Sequence, residues 1–520
     1  MSTTAVATTT PGVGATPVAH REDMREKHAH AGIAMAVATL AMGAASGIQA
    51  LLYLSSFGAG ARTDGFFVAF ALYTSFGVFS QSIRVTSAPM LVGERPRLSQ
   101  REFALALVAI AIPVGIATIP LAGPLAGLLA PGVAPVGRAV AESALPILGV
   151  AMILQLWAAG GATVLAVRDR FDRIAFAYIA GAGAGLVVYL AVSGPAGELS
   201  LGWSMLAMAV VTSAMMLDGV RASRGSREAA SARPHPRRLL RSVLLVLGST
   251  AIYLAFNGLY VITLAFASNY GAGGATVLSY AYLFASYLVA ATGFALGMSR
   301  IADMRRGALA DWREVIADTV PAGFRYSMLI GAPALAALIA GGADLIGEVL
   351  PASFDAVQVD HLKVFVALLC AWTVAALLVN LLLPAMFALG RAKMVNVLAP
   401  LVVLLHVAVT ALGGALFGVN GVVGAFFVVP LAFAVVLLVA GAGRGAGAIA
   451  RELARDGLRF ALAAAACFGI GALAGGALGA GPAAPVATIA VGSLLYVALT
   501  PWLAPDQVRL LLAAVRPASA

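Results

Sequence analysis

Residues 57–70 read FGAGARTDGFFVAF, and this stretch decides the fold. An apolar run, 32–56, ends in it, and a second, 65–91, starts inside it. Each run meets the length of about 20 apolar residues that a helix needs to cross a bilayer. Between them lie Gly58 and Gly60, which read as turn glycines. Asp64 falls in the first turn of the second run, where a carboxylate caps free N–H groups and complements the helix dipole. Arg62 is close enough in sequence to pair with it. The stretch therefore reads as a tight turn between two membrane-spanning helices.

The turn recurs. Tyr270–Thr276 reads YGAGGAT where Phe57–Thr63 reads FGAGART, and each copy leads into an aromatic-rich apolar run, FFVAFALY and SYAYLFASY. The same length criterion places helices near 32–56, 65–91, 103–130, 140–166, 174–193, 201–217, 242–267, 275–298, 320–342, 362–388, 394–414, 418–440, 457–476 and 484–503. The two GAG turns then follow helix 1 and helix 7. Two six-helix halves starting on the same face make a parallel repeat about an axis along the membrane normal. The expected organisation is an N-terminal tail (1–30), a first lobe (31–218), a basic linker (219–241), a second lobe (242–440), and a final pair of helices with the C-terminal tail (441–520). Prolines inside spans (Pro113, Pro120, Pro146, Pro333, Pro384, Pro430) predict kinks, with neighbouring helices satisfying the freed carbonyls.

Composition agrees with this reading. The 520 residues are 61% hydrophobic and 11% charged, whereas a soluble domain carries about 25% charged residues. The fold class expected is an all-α polytopic membrane protein with about 14 transmembrane helices, two pseudo-symmetric six-helix lobes plus two more. The net charge of +10 is distributed by loop: of the 33 Lys and Arg, 29 fall on one side of the map. Only Arg62, Arg138 and Lys363 fall on the other, and Arg84 lies within helix 2. Cytoplasmic loops collect Lys and Arg, so both termini are expected inside a bacterial plasma membrane, and the helix count is expected to be even. The Arg-rich run 221–241 lacks aromatic interleaving and lies against the membrane, which suits anionic lipid head groups and argues against nucleic acid. Cys370 and Cys467 lie in apolar stretches and give no disulfide framework. No metal cluster, phosphate loop or nucleophile constellation occurs. Neither a cofactor nor enzyme activity is expected, and a monomer is.

The string Phe57–Phe70, with Phe79–Gln81 (FSQ) and Gly293–Gly297 (GFALG), resembles the MurJ/MviN lipid II flippases of the multidrug/oligosaccharidyl-lipid/polysaccharide (MOP) superfamily. The resemblance implies alternating access. Two six-helix lobes would enclose a central cavity and rock, carrying the head group of a polyprenyl-pyrophosphate-linked sugar while its tail stays in lipid. It also implies a functional role for Asp64. Such a head group needs a hydrated, cationic path, because a charged pyrophosphate in hydrocarbon is costly. The sequence departs from the family here. The cavity arginine position of helix 1 falls on Gln49, the basic stretch of helix 2 is replaced by ALYTSFGVFSQ, and the helix 8 position falls near Leu283. Those losses remove the family's phosphate clamp. Another lipid-linked glycan, or a less anionic cargo, then becomes the alternative to lipid II.

Arg84 stands about eight residues from the inner end of helix 2, roughly 12 Å along the axis. It either snorkels to the interface or serves as a cavity cation that binds phosphate. Gln49, Gln81, Asn257, Tyr280 and Asn380, with Ser80, Tyr260 and Tyr282, are candidates for a polar cavity lining; for each the simpler role is an interhelical hydrogen bond. His406 is a proton site or a packed neutral histidine. Asp64 and Arg62, with Gly58 and Gly60, are assigned gating or structural roles. The function expected is a flippase for a lipid II-like cell-wall or polysaccharide precursor, driven by the membrane potential or a monovalent cation. The alternatives are a cation-coupled drug exporter of the MATE branch and a transport-dead paralogue. Coupling of the exporter kind uses an intramembrane carboxylate, and helix 1 has none. The acidic outer loop 341–361 reads equally as a gate or a connector.

Overall fold

The computed structural model describes residues 38, 41–91, 98–168, 170–222, 236–289, 312–349, 354–479 and 481–509. Among these the chain is helical, with short connections and no strand. Helix α1 covers residues 41–57. It is followed by α2 Ala61–Leu91, α3 Gln100–Ala117, α4 Ala122–Leu129, α5 Pro135–Val167, α6 Phe171–Val192 and α7 Ser200–Ala222. The second half has α8 Pro236–Ala267, α9 Gly274–Val289, α10 Trp312–Ala337, α11 Ala343–Val349, α12 Ala356–Ala388 and α13 Ala392–Ala442. Helices α14 Ala446–Gly476 and α15 Ala483–Leu503 complete it. Nine segments of the described residues are long and apolar enough to cross a membrane, and one of these, Ala392–Gly476, runs for 85 residues through more than one pass. The protein is an all-α, multi-pass membrane protein.

One expected span is corrected. The single helix expected over 103–130 is two, because Pro120 donates no N–H and the chain tightens ahead of it. There the Thr118 and Ile119 amides donate to Gly115 O and Ile116 O, three residues back. The spans expected at 394–414 and 418–440 are both present: α13 consists of two helices that meet at Gly418, whose backbone is not helical (φ 61°, ψ −146°). A Cβ on Gly421 would lie 1.9 Å from Gly413 O, so the chain folds back on itself there. Several helices also outrun their apolar cores at polar ends, α14 beginning at Ala446 rather than 457 and α12 at Ala356 rather than 362.

In lipid there is little hydrophobic drive between helices, so close packing relies on small residues. Helices α2 and α5 meet backbone to backbone, and a Cβ on Gly65 would fall 1.8 Å from Gly137 O. Helices α14 and α15 meet similarly through Gly471, Gly475, Thr488 and Gly492. The first half joins the second along α2 and α8.

The connections sort by charge. At one end of the bundle, Arg62 pairs with Glu198 of the α6–α7 connection. At that end also, the Gly132 amide meets Ser268, Tyr270 donates to Gly414 O, and Gln358 reaches Ala59 O and Ala272 O. These connections hold few cations. At the other end, Arg168 reaches Gln100 and Val220 O, Arg391 reaches Ala440 O, and Arg325 reaches Glu452 and Asp456. The bundle therefore has a cation-poor end and a basic end.

Candidate functional site

The GAG turns of the two halves meet at the cation-poor end. The Gly58 amide donates to Leu54 O at 2.8 Å, and a positive φ of 66° ends α1 in the left-handed conformation open to glycine. Gly60 has ordinary backbone; its amide donates to Thr63 Oγ1 at 2.9 Å, so Thr63 closes the first turn of α2. In the second copy Gly271 and Gly273 take positive φ, 109° and 88°.

Asp64 joins the copies. Its carboxylate accepts hydrogen bonds from the Gly273 amide (2.6 Å), the Thr276 amide (2.8 Å) and Thr276 Oγ1 (2.7 Å). The side chain expected to cap its own helix caps α9 of the opposite half instead, and is buried at 2% exposure. Four free N–H groups at the start of α9 make an anion site there, and Asp64 fills it. Arg62 does not pair with Asp64. It points outward to Glu198 at 2.9 Å, and the Glu198 carbonyl accepts from Tyr53 Oη at 3.0 Å. Beside Asp64, Thr63 Oγ1 lies 3.1 Å from Thr276 Oγ1, whose single proton goes to the carboxylate.

Deeper in the bundle, polar rungs continue between the halves. Tyr280 Oη donates to Ala50 O of α1 at 2.6 Å, Ser75 Oγ of α2 to Asn257 O of α8 at 3.3 Å, and Ser249 Oγ of α8 to Thr86 Oγ1 of α2 at 3.3 Å. The seam is thus not purely apolar. Gln49 is buried at 1% exposure with no hydrogen-bond partner for its Oε1 among the described residues. Asn257 and Asn380 spend their Nδ2 groups on carbonyls of their own helices, Tyr253 O and Ala376 O. Ser80 bonds Phe76 O, and Tyr260 donates to Ser279 while stacking on Tyr282 at 3.8 Å. His406 is buried, with Nε2 against Thr263 Oγ1 and Leu259 O, the setting of a packed histidine. Arg84 and Gln81 lie on α2, and their side chains lie outside the described residues. The structure thus gathers Asp64, Gly58, Gly60 and Tyr280 around the meeting of the halves.

Three residues of this site were not singled out from sequence. Thr63 and Thr276 close the two repeat copies, and their equivalent places in the repeat are the signal that could have found them. Gln358 sits in Asp355–Gln358, whose spacing marks a capping box and says nothing of a contact between halves.

No protein-family model matches the sequence, and no curated protein matches it. Solved structures do match. One is the lipid II flippase MurJ in an inward closed conformation, with a TM-score of 0.67 and 14% identity over 91% of this chain and 99% of that one. An inward-facing multidrug resistance MATE transporter of the MOP superfamily gives 0.62 and 14% over 80% of this chain and 99% of its own. A MOP superfamily transporter from Pyrococcus furiosus, described as having a binding pocket of reverse polarity, gives 0.60 and 14% over 81% and 96%. At such identities the likeness is one of fold: the chain has the fold of the MOP transporters.

Proposed function

We propose that this chain is an alternating-access transporter that moves a polyprenyl-linked cell-wall or polysaccharide precursor across the plasma membrane. The two halves, 31–218 and 242–440, act as lobes, both termini lie in the cytoplasm, and the cation-poor end faces outward. The observation that carries the reading is the seal at that end. Asp64 of one half holds the helix start of the other through three hydrogen bonds. Polar bonds of this kind are worth about 0.5–3 kcal/mol net each, so the contact closes the outer face and can be released. Asp64 and Thr276 gate the path. Gln49, Tyr280 and Arg84 lie on helices that line it, and Gln49 Oε1 is a polar atom free to meet water or cargo.

A lipid-linked cargo is favoured over a soluble drug by extent. The MurJ chain matches 91% of this chain and the inward-facing MATE chain 80%. That difference of about a tenth of the chain is close to the size of the α14–α15 pair. The exporter reading also needs an acid free to bind a cation. Asp64 and Asp456, the buried acids among the described residues, are occupied by α9 and by Arg325.

A conditional depletion strain tests this. Loss of the protein should leave radiolabelled lipid-linked precursor on the inner leaflet, inaccessible to an external enzyme or probe, with drug sensitivity unchanged. A normal leaflet distribution together with new drug sensitivity would replace this reading with the exporter one.

A further inference from the structure

Gln358 lies in the third residue of α12, in the connection that sequence leaves open between gate and simple linker. Its orientation is fixed by the cap. The Asp355 amide donates to Gln358 Oε1 at 3.1 Å, and the Gln358 amide donates to Asp355 Oδ1 at 2.8 Å. With Oε1 so held, the two N–H bonds of Nε2 point away from the cap, and each finds a carbonyl at 3.4 Å: Ala59 O and Ala272 O. Ala59 and Ala272 hold the same place in the two copies, FGAG and YGAG. One side-chain amide therefore bridges equivalent carbonyls of the two halves. Independent support comes from Gly273, where a Cβ would lie 2.3 Å from Gln358 Nε2. The second turn is shaped to admit this amide. Lys363 Nζ of α12 also pairs with Asp344 Oδ1 of α11 at 2.8 Å.

We propose that Gln358 is a positioning residue of the outer gate, a latch that spans both GAG turns and makes the start of α12 part of the gate. The inference rests on the alternating-access reading. When the halves part at this end, Ala59 and Ala272 move apart, and one amide group cannot follow both. Opening then releases at least one bond from Gln358, so the start of α12 follows the state of the transporter.

Gln358→Glu isolates this role. Glutamate at the third helical position still completes the capping box, but it replaces the two N–H donors with an acceptor facing two carbonyls. Spin labels at Ser56→Cys and Asn269→Cys, exposed positions on the two sides of the seal, report its width in the full-length chain in lipid nanodiscs, with Cys370 and Cys467 replaced by Ala. Gln358→Glu should raise the ratio of long to short distances about fivefold, the effect of losing about 1 kcal/mol of hydrogen bonding. Gln358→Ala should do the same, with some loss of cap. An unchanged distribution in Gln358→Glu, alongside a shift in Asp64→Asn, overturns the latch and leaves the gate in place. No shift in either variant overturns the gate reading itself.

Discussion

Thr63 Oγ1 and Thr276 Oγ1 touch at 3.1 Å across 213 residues of chain, and 213 is also the spacing of the two GAG turns. The contact ties the two GAG turns together at the cation-poor end, and any motion that parts them there must break it.

That contact predicts a lock. In a background with Cys370 and Cys467 replaced by Ala, the pair Thr63→Cys and Thr276→Cys should form a disulfide under mild oxidation. Transport should stop, and reductant should restore it. Thiol loss on a maleimide mass-shift gel and precursor transport with and without reductant are the measurements. Oxidised, fully crosslinked protein that still transports at the normal rate would refute a moving seal.

Asp64 predicts a local loss of protection. Asp64→Asn keeps the size but leaves a single acceptor oxygen and sets an NH2 group against the amide of either Gly273 or Thr276. Leaving a buried donor unsatisfied costs about 1–3 kcal/mol. Amide exchange in peptides covering 271–278 should quicken by roughly 5- to 100-fold, following that cost, while exchange in α6 stays as it was. Equal protection in both proteins would mean that the carboxylate does not hold α9.

The helices were legible because hydrocarbon imposes a length and excludes charge, and both are one-dimensional properties of sequence. The charge alternation of the loops was legible for a similar reason, and the sorting of Arg62 and Arg325 to opposite ends follows it. What failed needed the third dimension. Asp64 read as the cap of α2 because its own helix is nearest in sequence; the α9 start that it caps is more than 200 residues away. Arg62 looked like its partner for the same reason, while Glu198 is 136 residues distant. Pro120 was read as a kink in one long helix, yet with Thr118 and Ile119 already tightened before it the chain turns.

The α2–α5 contact predicts an asymmetric response to adding one methyl group. A Cβ at Gly65 would fall 1.8 Å from Gly137 O, and backbone cannot yield as a side-chain tip can. Gly65→Ala should destabilise by about 1–3 kcal/mol or more, in the range of overpacked cores, and lower the melting temperature in detergent. Gly183→Ala on α6, with nothing within 4 Å of its added Cβ, should leave the temperature unchanged or slightly raised. If both alanines melt alike, the helices are not in backbone contact at Gly65.

At the basic end, Arg325 of α10 grips Glu452 and Asp456, one turn apart on α14. A guanidinium offers several donors in a fixed plane, so it can serve two carboxylates at once, and a lysine cannot reproduce that geometry. Asp456 is the more sheltered partner, its side chain 9% exposed, and it would be left with only the longer, 3.6 Å contact to the exposed Arg455. Arg325 itself is partly open to solvent, which screens the pair, and the expected cost of Arg325→Ala is about 1 kcal/mol. Arg325→Lys should recover less than half of the lost melting temperature. The double variant Arg325→Ala with Asp456→Ala should lose less than the sum of the single ones, since residues in one network couple. Strict additivity in that cycle would show that α14 is held to α10 by packing alone, through contacts such as Gly457 against Phe324.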